Sequence, residues 1–276
     1  MDSFLIIAML CIGLLTGVVG GLLGVGGSIV MIPAMTEVLG PDQHLYQAAA
    51  MIVNFFVVVP AVYQHRKAGA IDIATVKRLV PLAMIAVVCG VALSELAIFS
   101  GAGERYLRAL FGGFLLLIVL RDLWSLVRNR RSSQNSQGAA TAGPTKSNPG
   151  DGWRRAAAVA VPTGLVAGLF GIGGGVLAVP LQRRLLGIPI RNAIANSAAV
   201  IVATSVIGGS VKNYAVIIDG LDPYRAVVLA AVLIPTAILG SLFGSRLTHK
   251  LPVKAIKAGF LVLLAVAAIR MIWRAG

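Results

Sequence analysis

The chain has 276 residues, of which 58% are hydrophobic and 12% are charged, and its net charge is +14. Soluble domains carry about 25% charged residues, whereas several apolar runs here reach the ~20 residues that a helix needs to cross a bilayer. Because these runs are continuous and do not alternate with a period of two, they argue against a membrane β-barrel and predict an all-α polytopic membrane protein. The positive charge then indicates basic cytoplasmic loops rather than a nucleic-acid partner.

The first predicted element contains a glycine-rich stretch, GGLLGVGGSIVMIP (20–33). Five of its first eight residues are glycine, and each glycine costs about 1 kcal/mol relative to alanine inside a helix. We therefore expect the helix to be interrupted here. A second stretch, AGLFGIGGGVLAVP (167–180), repeats the pattern.

The two stretches belong to an internal duplication. A shift of 147 residues brings residues 17, 21, 24, 26, 27 and 33 onto 164, 168, 171, 173, 174 and 180, and carries Gly40 to Gly187, Asp72 to Asp219 and Arg78 to Arg225. We divide the chain into a first transmembrane repeat (1–127), a second one (156–276) and a linker between them. The linker (128–155) is rich in Ser, Gly, Asn and charge, which predicts a disordered cytoplasmic tether.

Each repeat has the same predicted elements, namely one glycine-interrupted segment followed by three apolar spans. In the first repeat these are 4–38, 46–65, 78–99 and 106–127, and in the second they are 156–187, 192–212, 225–246 and 256–273.

The glycine-interrupted segment has three open arrangements: one crossing as a broken helix, two crossings, or a re-entrant hairpin. The arm after each motif (29–38 and 176–186) is about 15 Å long at 1.5 Å per residue, half of a bilayer core of about 30 Å. With hairpins, the two repeats are inverted relative to each other, and most Lys and Arg residues lie on the cytoplasmic side with the linker. We therefore predict two inverted repeats, each a glycine-tipped re-entrant helical hairpin plus three transmembrane helices, with the tips meeting near the midplane.

The hairpin tips are the predicted binding site. A short helix begins after each motif, at Ser28 and at Gly175, and its first N–H groups lack intrahelical partners and carry the positive end of the helix dipole. Interrupted helices at matching places in two repeats indicate the binding site of a transporter, although glycines also serve close helix packing. The predicted ligands of a small anion are Gly24, Gly26, Gly27, Ser28, Gly171, Gly173, Gly174, Gly175, Asn196 and Ser197.

Polar residues inside the other spans supply the non-glycine candidates. Asn196 and Ser197 open the first span of the second repeat, while Asn54, Thr204 and Ser205 lie deeper. The alternative role for all of them is hydrogen bonding between helices.

Three charged residues near the ends of spans need separate interpretations. Lys212 is expected to extend its amine to the outer surface. Glu95 is either a proton-coupling group or a water-exposed residue at the outer end, and we favour the second. Asp72 is expected to be a turn or cap residue.

Catalytic constellations are missing from the sequence. The histidines His44, His65 and His249 fall in separate predicted loops, and GVGGS lacks the lysine of a phosphate-binding loop. We therefore predict that the protein is not an enzyme and has no cofactor and no metal site.

The doubled motif, with the small-residue span at 193–199, resembles the sulfite exporter TauE/SafE family over nearly the whole chain outside the linker. The resemblance implies a bacterial inner-membrane permease for sulfite, sulfonates or other small sulfur-containing anions, without an ATPase subunit. Family members often have Thr–Ser after the second motif. This chain departs from that pattern, with Asn196–Ser197 in its second half and Ala49–Ala50 in its first.

The prediction is a secondary transporter that exports a small anion such as sulfite, a sulfonate or another organosulfur anion, by rocking of one repeat against the other. Membrane potential and protons are both candidate driving forces. The alternatives are a non-transporting scaffold subunit and a passive anion channel. The expected partners are the anion and the lipid bilayer, and a homo-oligomer is left open.

Overall fold

A computed structural model describes residues 3–129, 149–218, 223–247 and 253–274, and within these ranges it contains helices and no strands. In chain order the α-helices are α1 (Ser3–Leu23), α2 (Ser28–Leu39), α3 (Gln43–Lys67), α4 (Ile73–Ser94), α5 (Glu104–Asn129), α6 (Pro149–Phe170), α7 (Gly175–Leu185), α8 (Ile190–Ile218), α9 (Pro223–Leu247) and α10 (Val253–Trp273). Short 3-10 helices at Ala97–Phe99 and Gly101–Gly103 join α4 to α5. The all-α prediction is confirmed.

Five of the helices are long and apolar enough to cross a membrane, counted over the described ranges: α1, α3, α4, α8 and α9. The chain is therefore a multi-pass membrane protein. At the predicted linker, α5 runs to Asn129 and α6 begins at Pro149, so both ends of the linker are helical. Residues 130–148 lie outside the described residues.

Each glycine-interrupted segment folds back on itself as a hairpin. Leu5 near the start of α1 and Leu39 at the end of α2 line the same cavity. In the second repeat, Ala156 near the start of α6 belongs to one cluster with Leu186, which follows α7. The returning arms have 12 and 11 residues, too few to cross a bilayer core.

Helices α3 and α8 lie side by side and run in opposite directions. Near the end of α8, Nζ of Lys212 lies 2.8 Å from Nδ1 of His44 at the start of α3. Near the start of α8, Nδ2 of Asn192 donates to the carbonyl oxygen of Ala70 after α3, at 2.9 Å. We name the two ends of the molecule the His44 end and the Asn192 end, and the two hairpins open at opposite ends. How these ends face a membrane, and hence the inverted topology, stays a prediction.

The two repeats interlock, because α1 packs on α9 and α6 packs on α4. Four glycines approach a backbone carbonyl oxygen of the facing helix so closely that a methyl group would crowd or overlap it. The pairs are Gly17 with Ala237, Gly21 with Ser241, Gly164 with Ala83 and Gly168 with Val87. Such close approach is what small residues permit between membrane helices, so these glycines serve packing.

This packing also shows that the offset between the repeats is not constant. Gly164 stands 147 residues after Gly17, but Ala237 stands 154 residues after Ala83, and these pairs make equivalent contacts. The extra seven residues are close to two helical turns, so α9 presents the same face as α4. The predicted equivalence of Arg78 with Arg225 therefore does not hold.

Candidate functional site

The two glycine loops meet in the interior of the protein. We call residues 24–27 the first loop and residues 171–174 the second loop, and all of them are buried. A methyl group on Gly26 would lie 3.3 Å from the carbonyl oxygen of Ile172, and one on Gly175 would lie 2.7 Å from Cα of Val25. The backbone of each repeat therefore contacts the backbone of the other at this point.

Glycine is required here for two different reasons. Gly26 and Gly173 have φ values of +84° and +70°, a left-handed conformation that other residues rarely adopt. Gly27 instead lies against the first arm of its own hairpin, where a methyl group would overlap with the carbonyl oxygen of Thr16. Gly174 makes the equivalent approach to Thr163.

The start of α2 is capped by an amide from α3. The N–H groups of Gly27 and Ser28 donate to Oδ1 of Asn54 at 3.1 and 3.3 Å, and Nδ2 of Asn54 donates to Oγ of Ser28 at 2.8 Å. Ser28 and Asn54 have no exposed surface. A side-chain oxygen thus sits where the positive end of a helix dipole favours an anion.

The start of α7 has a different neighbour. Ile201 stands 147 residues after Asn54, and its side chain lies 3.0 Å from a methyl group placed on Gly173 and 2.6 Å from one placed on Gly175. Ile201 has no polar side-chain atom, so it cannot cap this helix as Asn54 caps α2. The two helix starts therefore differ in side-chain chemistry, and their N-cap glycines also differ in backbone, with φ −88° at Gly27 and +78° at Gly174.

A second pair of equivalent positions shows the same difference between a polar residue on α3 and an apolar residue on α8. Gln47 of α3 contacts Gly171, and its Nε2 donates to the carbonyl oxygen of Leu169 at 3.1 Å. Ile194, which stands 147 residues after Gln47, contacts Gly24 in the equivalent way. Helix α3 therefore presents amides to both loops, and α8 presents isoleucines.

Two glutamines of α3, Gln43 and Gln47, have buried polar atoms without a hydrogen-bond partner among the described residues. They are Oε1 of Gln47 and both Oε1 and Nε2 of Gln43, and neither residue has exposed surface. Buried polar atoms are nearly always satisfied by protein or water, so this face of α3 is suited to bind water or a polar ligand. The only sign of this face in the sequence is the pair of glutamines four residues apart, Gln43 and Gln47.

Asn196 and Ser197 are buried, but their hydrogen bonds lead elsewhere. Oδ1 of Asn196 accepts from the N–H of Asp72 at 2.8 Å, and Oγ of Ser197 accepts from Nε2 of Gln182 at 2.9 Å. At 3.6 residues per turn, Asn196 lies on the opposite face of α8 from Ile194. The structure therefore brings the loop glycines, Ser28 and Asn54 together, and Asn196 and Ser197 join α8 to neighbouring elements.

Lys212, Glu95 and His44 come together at the His44 end, and the structure differs from the expectation for each of the three. Lys212 does not reach the surface, because its side chain is 0% exposed and contacts Oε1 of Glu95. His44 is not in a loop but in the first turn of α3, with Nδ1 3.4 Å from Oε2 of Glu95. The Glu95 side chain is 18% exposed rather than open to water.

Glu95 follows the last residue of α4, and its environment stabilises the carboxylate. Burial by itself raises its pKa, but the hydrogen bond with His44 and the charge of Lys212 outweigh burial and lower the pKa to about 2. Asp72, in contrast, is a cap as predicted: its Oδ1 accepts from the N–H groups of Ala74 and Thr75.

Other kinds of site have less support in the described part of the chain. No group of three His, Cys, Asp or Glu residues there could hold a metal ion. A cavity of about 540 Å³ opens at the His44 end, but its lining, which includes Asp42, Tyr46 and Arg225, contains no loop glycine. The loops and the face of α3 beside them are therefore the candidate site.

The chain has two interlocked repeats of apolar helices, each with a broken helix whose tip lies in the interior. Many membrane transporters are built from such repeats. The sequence profile that describes sulfite exporter TauE/SafE matches residues 9–271. The chain belongs to this family.

Relatives with assigned names are also similar over most of the chain. "Probable membrane transporter protein MamO" of Magnetospirillum gryphiswaldense is 29% identical over 95% of the chain. "Probable membrane transporter protein" of Haemophilus influenzae is 27% identical over 98% of the chain and 99% of its own length, and YunE of Bacillus subtilis is 25% identical over 92% of both. The chain spans 44% of the length of the MamO proteins that it matches. No solved structure matches the chain significantly.

Proposed function

We propose that the protein is a secondary transporter that exports a small oxyanion, such as sulfite or a sulfonate, across the bacterial inner membrane. The observation that carries this proposal is the meeting of the two glycine loops in the interior, each followed by the start of a helix. Relatives named as membrane transporters and the description of the family as sulfite exporters support it.

The anion would bind backbone N–H groups at the starts of α2 and α7. In the conformation described, Oδ1 of Asn54 accepts the hydrogen bonds from Gly27 and Ser28, and the loops touch. An anion oxygen that takes the place of Oδ1 would receive the same two hydrogen bonds, and the loops would part to admit it. No cationic side chain is needed for such a site.

Membrane potential supplies a driving force in the export direction. A negative charge that leaves a negative-inside cell gains about 2.3 kcal/mol per 100 mV. Rocking of the α1–α9 pair against the α4–α6 pair, each of which joins helices of both repeats, would expose the loops alternately to the two ends of the molecule.

Ligand binding is the first test. Thermal unfolding of the purified protein is followed by tryptophan fluorescence with sulfite, thiosulfate, sulfoacetate or taurine present, since a ligand stabilises the state that it binds. We expect at least one of these anions to raise Tm, and no shift with any of them would contradict the proposal.

Flux into proteoliposomes then separates the three candidate classes of protein: saturable flux indicates a transporter, non-saturable flux a passive channel, and no flux a scaffold subunit.

The site itself is tested by Gly26→Val and Gly173→Val. Both place a side chain between the loops, so we expect both variants to insert in the membrane and to lose the Tm shift that the anion causes. Gly69→Val is the control, because Gly69 has a φ of +63° but nothing within 4 Å of an added side chain. It should cost stability, about 1–2 kcal/mol, and keep the shift. Loss of the shift in all three variants, or retention in all three, would contradict the site assignment.

A further inference from the structure

Four side chains from both repeats form a polar cluster at the His44 end. Nζ of Lys212 on α8 contacts Oε1 of Glu95, and it lies 2.8 Å from Nδ1 of His44 and 3.0 Å from Oγ of Ser94. Nε2 of His44 lies 3.0 Å from the carbonyl oxygen of Phe99. Lys212 belongs to the second repeat and the other residues to the first, so the cluster ties the two repeats together.

The members of the cluster lie at different depths. The Lys212 side chain is 0% exposed, that of His44 is 7% exposed and that of Glu95 is 18% exposed. The carboxylate is therefore the outermost group and separates the ammonium from the surface.

The inner side of the cluster adjoins the candidate site. Gln47, which contacts Gly171 of the second loop, stands one helical turn after His44 on α3. Gln43, whose buried amide atoms lack partners among the described residues, precedes His44. Along α3 from the second loop toward the His44 end, the order is therefore Gln47, then His44 with Lys212 beside it, then Gln43.

The energetics of a buried charge connect this cluster to anion transport. Burying an ammonium group is unfavourable in free energy unless an anion lies next to it. Removal of one partner from a buried ion pair therefore leaves an uncompensated charge and destabilises the protein. If Glu95 moves outward, another anion that takes its place keeps the charge balanced. An oxyanion with several acceptor oxygens can accept hydrogen bonds from both Lys212 and Ser94.

We propose that Lys212, Glu95 and His44 form an ion-pair gate at the His44 end, and that the transported oxyanion opens it by replacing Glu95 on Lys212. This inference rests on the proposed function, since it assumes that a small anion passes the cluster. The gate is a second binding site for the anion, which lies outside the glycine loops and uses the cationic side chain of Lys212. Glu95 then acts as a tethered competitor that closes the gate when the substrate has left.

Accessibility of a reporter cysteine tests the gate. Gln43→Cys is introduced after Cys11→Ser and Cys89→Ser, and the rate of its reaction with a membrane-impermeant methanethiosulfonate is measured in this parent protein. Glu95→Gln removes the carboxylate and should raise the rate about tenfold or more, since loss of one partner of a buried pair shifts a two-state equilibrium by at least that factor. Sulfoacetate, which does not react with the reagent, should raise the rate in the parent.

Glu37→Gln is the matched control. Glu37 pairs with Arg274 at 3.2 Å and Arg270 at 3.5 Å, at the same end of the molecule but between α2 and α10. The Glu37→Gln substitution should leave the labelling rate of the reporter cysteine unchanged. Equal rates in the Glu95→Gln and Glu37→Gln proteins would overturn the gate, and a parent whose rate does not respond to sulfoacetate would overturn its opening by an anion.

A double variant keeps the test valid if Glu95→Gln does not fold. Glu95→Gln with Lys212→Met leaves no uncompensated charge, so it should fold, label fast and no longer respond to sulfoacetate. Slow labelling of the double variant would overturn the gate. Failure of the proposed function is a separate result, namely no Tm shift and no flux in the unmodified protein.

Discussion

At the scale of single residues, the most informative position is Asn54. It lies in an otherwise apolar part of α3 and caps α2 through three hydrogen bonds with Gly27 and Ser28. The matching residue of the second repeat is Ile201, which cannot hydrogen-bond. The left-handed glycines at 24 and 26 recur at 171 and 173, while the side chains around them differ between the repeats, as expected when one face of the site handles polar groups and the other is apolar.

Asn54→Ala tests whether this amide competes with the substrate. We expect the variant to lose about 1 kcal/mol of stability, the usual cost of removing a helix cap, and to bind sulfite more tightly by about fivefold, because an acceptor worth ~1 kcal/mol no longer occupies the N–H groups. Tm and the dissociation constant for sulfite are the measurements. Asn192→Ala, which removes an amide hydrogen bond to Ala70 far from the loops, should lose stability without a gain in affinity. Equal affinities in the two variants would contradict the competition.

At the scale of helices, glycines have two different structural roles in the same hairpin, namely close helix packing and the turn at the tip. Gly17 and Gly21 let α1 contact the backbone of α9, while Gly26 forms the turn at the tip. The packing role, which was the alternative in the sequence analysis, thus applies to the arm, and the loop role remains for the tip. Both roles recur in the second hairpin, where Gly164 and Gly168 contact α4.

Gly17→Ala should disturb this crossing, because its methyl group would overlap with the carbonyl oxygen of Ala237. Overpacking of this kind costs about 1–3 kcal/mol, so we expect a lower Tm and a smaller monodisperse fraction in size-exclusion chromatography. Gly113→Ala on α5 is the control, since nothing lies within 4 Å of an added methyl group there. It should be neutral or stabilising, by up to about 1 kcal/mol. A Gly17→Ala protein as stable as the control would show that the helices do not approach so closely.

At the scale of the whole molecule, the two repeats form one interlocked body with two different ends. The principal core contains buried residues of both repeats, and α1 and α6 are each held by a helix of the other repeat. A conformational change that keeps these contacts must therefore move α1 together with α9 and α6 together with α4, so each moving unit contains helices of both repeats. The ion pair of Lys212 and Glu95 at one end and the hydrogen bonds of Asn192 and Asn196 at the other join the same pair of repeats.

The inverted orientation of the repeats is tested by labelling at Leu39 and Leu186. Each is replaced singly by cysteine after Cys11→Ser and Cys89→Ser, and impermeant maleimide is applied to intact cells and to inverted vesicles. We expect Leu39→Cys to react from outside and Leu186→Cys from the cytoplasmic side, because the hairpins open at opposite ends and the linker is predicted to be cytoplasmic. Reaction of both from the same side would rule out inverted repeats.

Particular residues show how far sequence reasoning reached. The glycine patterns predicted both hairpins and the place of their tips, since helix interruption depends on local propensity. The contacts among Lys212, Glu95 and His44 could not be predicted from the sequence, because residues as far as 168 positions apart give no local sign that they will meet. A role for Asn196 in binding stays a prediction, and in the structure its side chain lies on the opposite face of α8 from Ile194, because the two residues are two positions apart.

The sequence by itself determined the helical class, the duplication and the two backbone interruptions. These follow from hydrophobicity and glycine content, which act over a few residues and need no knowledge of neighbours. Tertiary structure alone decided which repeat supplies each side chain: α3 brings Asn54 and Gln47 to both loops, and α8 delivers Lys212 to Glu95. Such pairings depend on the crossing of helices that are distant in the chain, and that crossing is set by packing rather than by local preference.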